Sequence, residues 1–301
     1  MITIPASEFT IEELTDAYNR TRVDYIVPMP MTAVRLQEYI DTYDIDLTAS
    51  CTVVDDEEDD HFIIGLGMLG VRGDRAWISR LGVVPYARRL GAGKELMYAL
   101  IEETVKRQYK HLWLEVIKGN EPAHRLFKRL GFVETRELLV LRRPPGPLPP
   151  DVPCIKEGVE VYRLSLAEIL DRLHMRRIRP NWLNETESYG HVTANLTGIQ
   201  VVLPNNAGWG WAAYESNALQ LKRLCIEAVE GDEVAVSTAV LYQVHKQAPT
   251  KDAVFENLPV DDPRWPAYQA LGYFDSFYRI EMVKDMSVHQ SIRPESRDGG
   301  Q

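Results

Sequence analysis

The chain has 301 residues, of which 45% are hydrophobic and 26% charged, a composition typical of a globular protein long enough for two ordinary domains. Its formal net charge of −10 argues against nucleic acid as a partner, because binding phosphates requires a basic surface. No segment has the pattern of a leader or of a membrane span, so we expect a cytoplasmic protein with no membrane partner. The cysteines lie far apart and predict reduced thiols: Cys51, Cys154 and Cys225.

The first forty residues predict a short strand and two capped helices. The strand is expected at residues 2–4. Thr10, followed three residues later by Glu13, forms the pattern of a capping box that opens a helix ending near Arg20. Thr32 is expected to cap a second helix.

An acidic run separates the two strands of a predicted hairpin. The strands are expected at residues 50–54 and 62–71, and residues 55–60 between them are six consecutive carboxylates. Consecutive side chains on one loop do not converge on a single cation. We therefore expect a solvated hairpin loop there and no metal site.

The next stretch combines an apolar strand, a glycine loop and an amphipathic helix. The strand is expected at residues 76–84, and from Lys94 onward apolar residues recur about every four positions. Gly91 and Gly93 allow a ligand to approach the first N–H groups of the helix, which have no intrahelical acceptor. The loop therefore predicts an anion site that suits a pyrophosphate, assisted by the helix dipole. Three cations lie beside it: Arg88, Arg89 and Lys94.

A further strand and a short helix complete this half of the chain. The strand is expected at residues 111–117, with Trp113 and Glu115 on one face. The helix that follows Asn120 is expected to end at Gly131, because glycine readily adopts the left-handed conformation that ends a helix. A closing strand is expected at residues 136–142.

The second half repeats the first in weaker form. Leu271-Gly272-Tyr273 lies 141 residues after Leu130-Gly131-Phe132, which predicts a duplicated domain. The Pro-rich residues 144–154 predict a semi-rigid linker between the domains, and the polar residues 286–301 predict a disordered tail.

The glycine loop is not repeated in the second half. The corresponding residues include Glu230, Gly231, Asp232 and Glu233, whose negative charges would repel a pyrophosphate. The sequence therefore predicts one such anion site per chain and a degenerate second domain.

Two signatures in the first half resemble those of the GNAT acetyltransferase superfamily. The first, Arg/Gln-x-x-Gly-x-Gly/Ala, is matched at Arg88, Gly91 and Gly93. The second, Asn-x-x-Ala-x-x-Leu-Tyr-x-x-x-Gly-Phe, is matched at Asn120, Ala123, Leu126, Gly131 and Phe132. The resemblance implies an α/β (α+β) fold of two tandem domains, each a mixed, mostly antiparallel sheet with a V-shaped splay and flanking helices. The expected domains are residues 1–143 and 155–285, with the first holding the acyl-CoA site.

The resemblance also implies the residues of the site. Acetyl-CoA would enter as co-substrate between the strands at residues 76–84 and 111–117. Its expected contacts are Leu81, Val83, Val84, Arg88, Arg89, Gly91, Ala92, Gly93, Lys94, Asn120, Ala123 and Phe127. The segment between the first two helices would overhang the acceptor, which makes Asp24, Tyr25, Met29 and Arg80 candidate substrate contacts, although a loop packed on the core would carry the same residues.

The acid and base depart from the family pattern. Many relatives place a Glu base on the strand before the glycine loop, where this chain has Ser79 and Arg80. Glu115 is the expected base, with Asp24 and His124 as further candidates and a salt bridge to Arg80 as the alternative reading of Glu115. Asn120 is the other residue expected to act in catalysis. The position of the usual tyrosine acid holds Phe127, but releasing a thiol of pKa about 8.5 at neutral pH costs only about 2 kcal/mol.

These features predict an acyl-CoA-dependent N-acetyltransferase that acts on a primary amine, with a small molecule as the first expectation. A peptide N-terminus is the second expectation. A non-catalytic CoA-binding or scaffolding protein is the contrasting class, supported by Phe127 and by the missing strand carboxylate. A homodimer is left open.

Overall fold

The computed structural model describes residues 1–27, 29–55, 62–153 and 157–287, and the chain divides into two compact units. Unit 1 comprises Met1–Thr135 together with the described residues from Glu281 onward, and unit 2 comprises Arg136–Ile280. The elements that begin in unit 1 are β1 (Ile2–Pro5), α1 (Ile11–Arg20), α2 (Ala33–Thr42), β2 (Cys51–Val54), β3 (Ile63–Arg72), β4 (Arg75–Val83), α3 (Ala92–Lys106), β5 (His111–Ile117), α4 (Glu121–Arg129) and β6 (Val133–Arg143).

Local chemistry explains where these helices begin. The Thr10 hydroxyl accepts the N–H of Glu13 and the Glu13 carboxylate accepts the N–H of Thr10, so the predicted capping box of α1 is confirmed. Thr32 caps α2 by accepting the N–H of Arg35. In α3, Leu96, Met97, Leu100 and Ile101 are fully buried, which confirms the predicted apolar face.

The sheet of unit 1 has the strand order β1-β2-β3-β4-β5, followed by the last residues of β12 (Phe274–Asp285). β1, β2, β3 and β4 pair antiparallel in turn, whereas β4 and β5 pair in parallel. The parallel pair requires a crossover, which α3 supplies. As a result the glycine loop lies at the C-terminal end of β4, where strand ends and a helix N-terminus meet.

Unit 2 has the same kind of architecture. Its elements are β7 (Glu160–Arg163), α5 (Leu166–His174), α6 (Thr186–Gly190), β8 (Leu196–Val202), β9 (Gly208–Ser216), β10 (Gln220–Gly231), α7 (Glu233–Gln247), β11 (Asp252–Pro259) and α8 (Trp265–Ala270). Its sheet has the order β6-β11-β10-β9-β8-β7, and β10 and β11 pair in parallel as β4 and β5 do. Its core is centred on α7, whose Val236, Val240, Leu241 and Val244 pack with the apolar residues of β9 and β10.

The closing strands correct the predicted domain boundaries. β6 pairs antiparallel with β11 from Arg143↔Ala253 to Leu138↔Pro259, so residues 136–143 belong to unit 2. Glu281 belongs to unit 1, where its carboxylate accepts a hydrogen bond from the Thr135 hydroxyl. The expected boundaries at residues 143 and 155–285 were therefore wrong. The reason is that each closing strand joins the sheet formed by the other half of the chain.

The Pro-rich segment after β6 is also packed more closely than a spacer. Val152 is buried in the core of unit 2, and Leu148 packs against the same core. Arg143 is 3% exposed and donates to the carbonyl oxygens of Pro144, Gly146, Pro147 and Leu271. These contacts fix the described part of the segment against unit 2.

The structure describes only some of the residues on which the composition allowed a prediction. Cys51 and Cys225 are reduced, and burial raises the pKa of both thiols. Cys154, most of the acidic run at residues 55–60 and the tail from residue 288 lie outside the described residues. Among the helices that the structure describes, none is both long enough and apolar enough to cross a membrane.

Acidification is expected to destabilise unit 2 through His245. This residue is fully buried next to the Tyr273 hydroxyl, and burial, with a smaller contribution from Arg143, lowers its pKa to about 3. The unfolded chain would bind a proton at His245 below pH about 6.5 and the folded chain would not, so the free energy of unfolding falls by about 1.4 kcal/mol per pH unit over that range.

Chemical denaturation at pH 7 and pH 5 measures this effect. Between these two values the wild-type protein should lose about 2 kcal/mol more stability than His245→Gln. The exposed His111 provides a matched control, since His111→Gln should behave as the wild type does. Equal losses in the wild type and in His245→Gln would contradict the prediction.

Candidate active site

The site begins where β4 and β5 separate. Their parallel pairing runs from Arg75↔His111 to Ile78↔Leu114 and includes no later pair, although β4 continues to Val83 and β5 to Ile117. Beyond these pairs β4 and β5 no longer pair with each other, which leaves an opening between the strand ends, as expected for the V-shaped splay that the family resemblance implies. Such an opening can accept an extended chain that hydrogen-bonds to exposed backbone groups.

A bulge in β4 marks the same place. Leu66 pairs with Gly82 and Met68 with Ser79, so β4 carries one residue more than β3 over this interval. Arg80, within the bulge, has a left-handed backbone (φ 52°). A non-glycine residue in this conformation costs about 1–3 kcal/mol, and such strain is concentrated at functional sites.

Beyond the bulge, the alternation of backbone groups along β4 directs the N–H of Val83 into the opening. Val84 donates its N–H to Ile64 O on β3 at 2.9 Å. Successive residues of a strand direct their backbone groups to opposite edges, so the N–H of Val83 faces away from β3. The carbonyl oxygen of Val83, which belongs to the next peptide unit, accepts Arg88 Nε at 3.0 Å, so Arg88 holds the backbone of Val83 on its C-terminal side.

The glycine loop provides N–H donors for an anion. Gly91 has φ 95° and is the N-cap of α3, with no side chain that caps the helix. The N–H groups of Gly91, Ala92 and Gly93 have no acceptor among the described residues, whereas Lys94 and Glu95 donate to Gly91 O. A Cβ added at Gly91 would meet no atom within 4 Å, so the backbone of the loop is open to a ligand on that side of Gly91. The geometry fits a pyrophosphate.

Two of the three predicted cations are placed to assist an anion at this loop. Arg89 is exposed, and no described residue pairs with its guanidinium. Lys94 is exposed, and its ammonium lies 5.2 Å from the centre of the Tyr98 ring. The third cation, Arg88, is committed elsewhere: its guanidinium forms a bidentate ion pair with Asp24 (2.7 and 2.6 Å). The guanidinium faces Asp24 here, and the expected contact of Arg88 with acetyl-CoA stays a prediction.

The expected residues on β5 and α4 occupy the opposite side of the opening. Glu115 is half-buried and directly follows Leu114, the last residue of β5 that pairs with β4. Asn120 is the N-cap residue of α4, but its side chain caps no backbone N–H. Ala123 is half-buried. Phe127 is 5% exposed and packs against Phe132, with ring centres 6.1 Å apart.

His124, a further candidate for the base, lies beside a carboxylate of β6. Its Nε2 lies 2.9 Å from Glu134 Oε1, and the same carboxylate accepts Lys128 Nζ at 3.1 Å. Hydrogen bonds from Lys128 and then from His124 lower the pKa of the Glu134 carboxyl. The structure thus places His124 beside Glu134, and its role as a base stays a prediction.

The candidate acceptor contacts lie on the other side of β4. The Arg80 guanidinium stacks over the Tyr39 ring at 4.0 Å, donates to the Tyr18 hydroxyl at 3.1 Å and approaches Met29 Sδ at 3.9 Å. The Tyr25 ring lies 4.3 Å from the Arg22 guanidinium. The structure thus brings together Arg80, Met29 and Tyr25. Asp24 instead forms an ion pair with Arg88.

The sequence did not predict the two tyrosines that lie next to Arg80. Tyr18 and Tyr39 are buried on α1 and α2, and the Tyr39 hydroxyl hydrogen-bonds the Ser79 hydroxyl. Burial raises the pKa of Tyr39 to about 12 even though Arg80 opposes the shift, so Tyr39 is a neutral phenol at physiological pH. Both tyrosines fall inside predicted helices, where no motif marks them as part of a site.

Unit 2 has the same opening and the same bulge. The pairing of β10 with β11 stops at Leu221↔Ala253, and β10 carries one extra residue between Lys222 and Cys225. Arg223, within that bulge, has φ 47°, close to the value at Arg80. Here, however, the opening contains Arg264, which donates to Ile226 O at 2.6 Å and is 4% exposed. The cavity that remains has about 50 Å³ of accessible space, room for a few water molecules.

The helix start of unit 2 also differs. The Asp232 side chain accepts the N–H of Ala235 at 2.8 Å and caps α7. A Cβ added at Gly231 would lie 2.3 Å from Ala207 O, so no open space lies in front of this glycine. A carboxylate of the chain itself thus occupies the helix end that would receive a phosphate. Among the described residues of both units, no group of acidic, His or Cys side chains could hold a metal ion.

Comparison with known proteins agrees with this geometry. Residues 11–132 match the family described as "Acetyltransferase (GNAT) family". Over 61 residues the chain is 41% identical to [Ribosomal protein bS18]-alanine N-acetyltransferase from Escherichia coli (strain K12), which corresponds to 20% of this chain. The chain spans only 41% of the length of that relative.

Two solved structures are similar over nearly the whole chain. One is a GCN5-related N-acetyltransferase from Sphaerobacter thermophilus, with 14% identity, 95% coverage of both chains and a TM-score of 0.68. The other is a tandem GNAT protein from the clavulanic acid biosynthesis pathway, with 14% identity, coverage of 96% of this chain and 99% of that one, and a TM-score of 0.64. At such identity the likeness shows the fold, a mixed sheet with flanking helices in two tandem units.

Proposed function

Because the chain belongs, through residues 11–132, to the acetyltransferase (GNAT) family, we propose that unit 1 transfers an acetyl group from acetyl-CoA to a primary amine of a small molecule. The observation that carries the proposal is the row of N–H donors without acceptors at Gly91, Ala92 and Gly93, next to the opening between β4 and β5. The loop would bind the pyrophosphate and the opening would hold the pantetheine arm.

The chemistry follows from the residues around the opening. The acceptor amine attacks the thioester carbonyl, the new C–N bond forms, the C–S bond breaks and CoA leaves as a thiolate. Negative charge develops on the carbonyl oxygen during the attack, and the N–H of Val83 is directed to stabilise it. Glu115 is the base proposed to take the proton of the amine. Phe127 cannot donate a proton, so CoA would leave unprotonated, which costs about 2 kcal/mol at neutral pH, and the thiolate would then take a proton from solvent.

A peptide N-terminus is the second candidate acceptor. The similarity over 61 residues to an enzyme named for acetylating the alanine of a ribosomal protein favours it. Turnover of acetyl-CoA with small primary amines, compared with peptides that begin with alanine, distinguishes the two acceptors. A kcat/KM at least tenfold higher for small amines supports the first candidate, and the reverse order supports the second.

We expect one molecule of acetyl-CoA to bind per chain. In unit 2 the Asp232 carboxylate caps the helix end and Arg264 donates to Ile226 O within the opening, so both halves of a CoA site are occupied by the chain itself. Titration calorimetry should return a stoichiometry near one. The Gly91→Glu variant should return no binding, and Gly231→Glu, the corresponding glycine of unit 2, should leave the acetyl-CoA affinity unchanged if it folds. Two equivalent sites per chain would contradict the assignment.

A further inference from the structure

Arg88 joins three segments of unit 1 through one guanidinium. Nη1 and Nη2 bind the Asp24 carboxylate at 2.7 and 2.6 Å, Nη2 also donates to Thr21 O at 3.2 Å, and Nε donates to Val83 O at 3.0 Å. Hydrogen bonds from Arg88 keep the pKa of the Asp24 carboxyl below its usual range, so the pair is ionic at neutral pH. The guanidinium is therefore directed toward the segment after α1 and the end of β4.

The segment that Arg88 holds is the acceptor loop, residues 21–32, of which Pro28 lies outside the described residues. Arg22 Nη2 donates to Leu81 O at 3.2 Å, and the Asn19 side chain exchanges two hydrogen bonds with the backbone of Met31 (2.9 and 3.0 Å). Met29 of this loop lies against Arg80. Together with Arg22, Arg88 thus ties the first turn of the acceptor loop to the end of β4.

Unit 2 contains the same connection with the charges exchanged. Arg177, in the segment after α5, donates its backbone N–H to Glu227 Oε1 at 3.0 Å, and its guanidinium binds Ala228 O and lies 3.4 Å from Glu233 Oε1. This unit has no glycine-rich anion loop, since Asp232 caps its helix. An ion pair between this segment and the end of the bulged strand is therefore present even where no phosphate can bind.

We propose that Arg88 is a positioning residue that acts through Asp24 and the carbonyl oxygen of Val83, fixing the acceptor loop against the end of β4, and that it does not bind the phosphates of acetyl-CoA. The proposal rests on the acetyltransferase function proposed above. It gives the two adjacent arginines of the loop different roles: Arg88 positions the acceptor, and the exposed Arg89 binds acetyl-CoA. Displacing a substrate-positioning group by about 1 Å can cost about 100-fold in rate, so the effect on transfer should be large.

Four variants separate these roles: Arg88→Gln, Asp24→Asn, the double variant, and Arg89→Gln as the matched neighbour. We expect Arg88→Gln and Asp24→Asn each to lower kcat/KM for the amine by about 10- to 100-fold, and the double variant to equal Arg88→Gln within about threefold. The Kd of acetyl-CoA, measured by calorimetry, should stay within about threefold of the wild type in all three. Arg89→Gln should weaken acetyl-CoA binding, more at low salt than at high salt, and leave the KM of the amine unchanged.

Arg88→Lys and hydrogen exchange complete the test. Lysine keeps the charge but cannot form the bidentate pair, so Arg88→Lys should fail to restore the KM of the amine. Amide exchange at residues 22–27 should rise in Arg88→Gln, a readout that needs no turnover and so remains decisive if the wild type acetylates no amine. The ion pair is about half exposed, so the thermal midpoint should change little.

Three results would overturn the proposal. The first is a loss of acetyl-CoA affinity in Arg88→Gln that persists in the Asp24→Asn background and grows at low salt, which would make Arg88 a phosphate ligand. The second is unchanged exchange at residues 22–27. The third is additivity of the two single variants in kcat/KM, which would show that Arg88 does not act through Asp24.

Discussion

Replacing Gly91 by glutamate is expected to lower the affinity for acetyl-CoA by about 1,000-fold while the protein remains folded. The new carboxylate would lie in the open space in front of the N–H groups of Gly91, Ala92 and Gly93. Like charges about 4 Å apart near a protein surface repel by roughly 4 kcal/mol, which corresponds to about three orders of magnitude in Kd.

Gly73 provides the matched control for this variant. It also has a left-handed backbone, at φ 56°, and a Cβ added there would likewise meet no atom within 4 Å. Gly73→Glu therefore carries a similar backbone strain in the turn between β3 and β4, away from the loop. Calorimetry should find normal acetyl-CoA affinity in Gly73→Glu. Unchanged affinity in a folded Gly91→Glu protein would remove the anion site from this loop.

Replacing Glu115 by glutamine is expected to lower kcat by about 10² to 10⁴. Glu115 follows the last residue of β5 that pairs with β4, so it stands at the apex of the opening where the thioester and the amine would meet. If its carboxylate takes the proton of the amine, the rise of kcat/KM with pH that reports its ionisation should disappear in the variant.

The control for Glu115 is Glu12→Gln, which removes an exposed carboxylate from the first turn of α1. Its activity and pH profile should match those of the wild type. A Glu115→Gln protein that loses only thermal stability and keeps the pH profile would instead favour the salt-bridge reading of this residue.

Much of unit 1 could be predicted because its signals are local. The capping box of Thr10 and Glu13, the apolar period of α3 and the left-handed Gly131 after α4 each involve residues within one or two turns. The glycine loop has the same property, since Gly91 both ends the preceding turn and opens α3. Short-range patterns of this kind are fixed by the backbone chemistry of a few neighbouring residues.

The remaining features depend on partners distant in the chain. Asp24 and Arg88 are 64 residues apart, and Arg80 meets Tyr18 and Tyr39 from two different helices. No periodicity relates these positions, so the sequence suggested a phosphate contact for Arg88 and no role for either tyrosine. Only the folded structure shows that Arg88 faces Asp24 and that Arg80 lies against the two tyrosines.

The exchange of closing strands had the same origin. β6 and β12 are both long strands that follow a short helix and a Leu-Gly-aromatic turn. Because their patterns are alike, the sequence could not distinguish pairing within one half of the chain from pairing with the other half.

The most direct test of the account is the release of free thiol from acetyl-CoA by the wild-type chain, measured with and without primary amines. The proposed acetyltransferase function predicts thiol release that depends on an amine and saturates with acetyl-CoA. This release should be lost in Gly91→Glu but retained in Gly73→Glu. Acetyl-CoA that binds one per chain and yields no amine-dependent thiol with any small amine or peptide would contradict it, and would leave a CoA-binding protein without transferase activity.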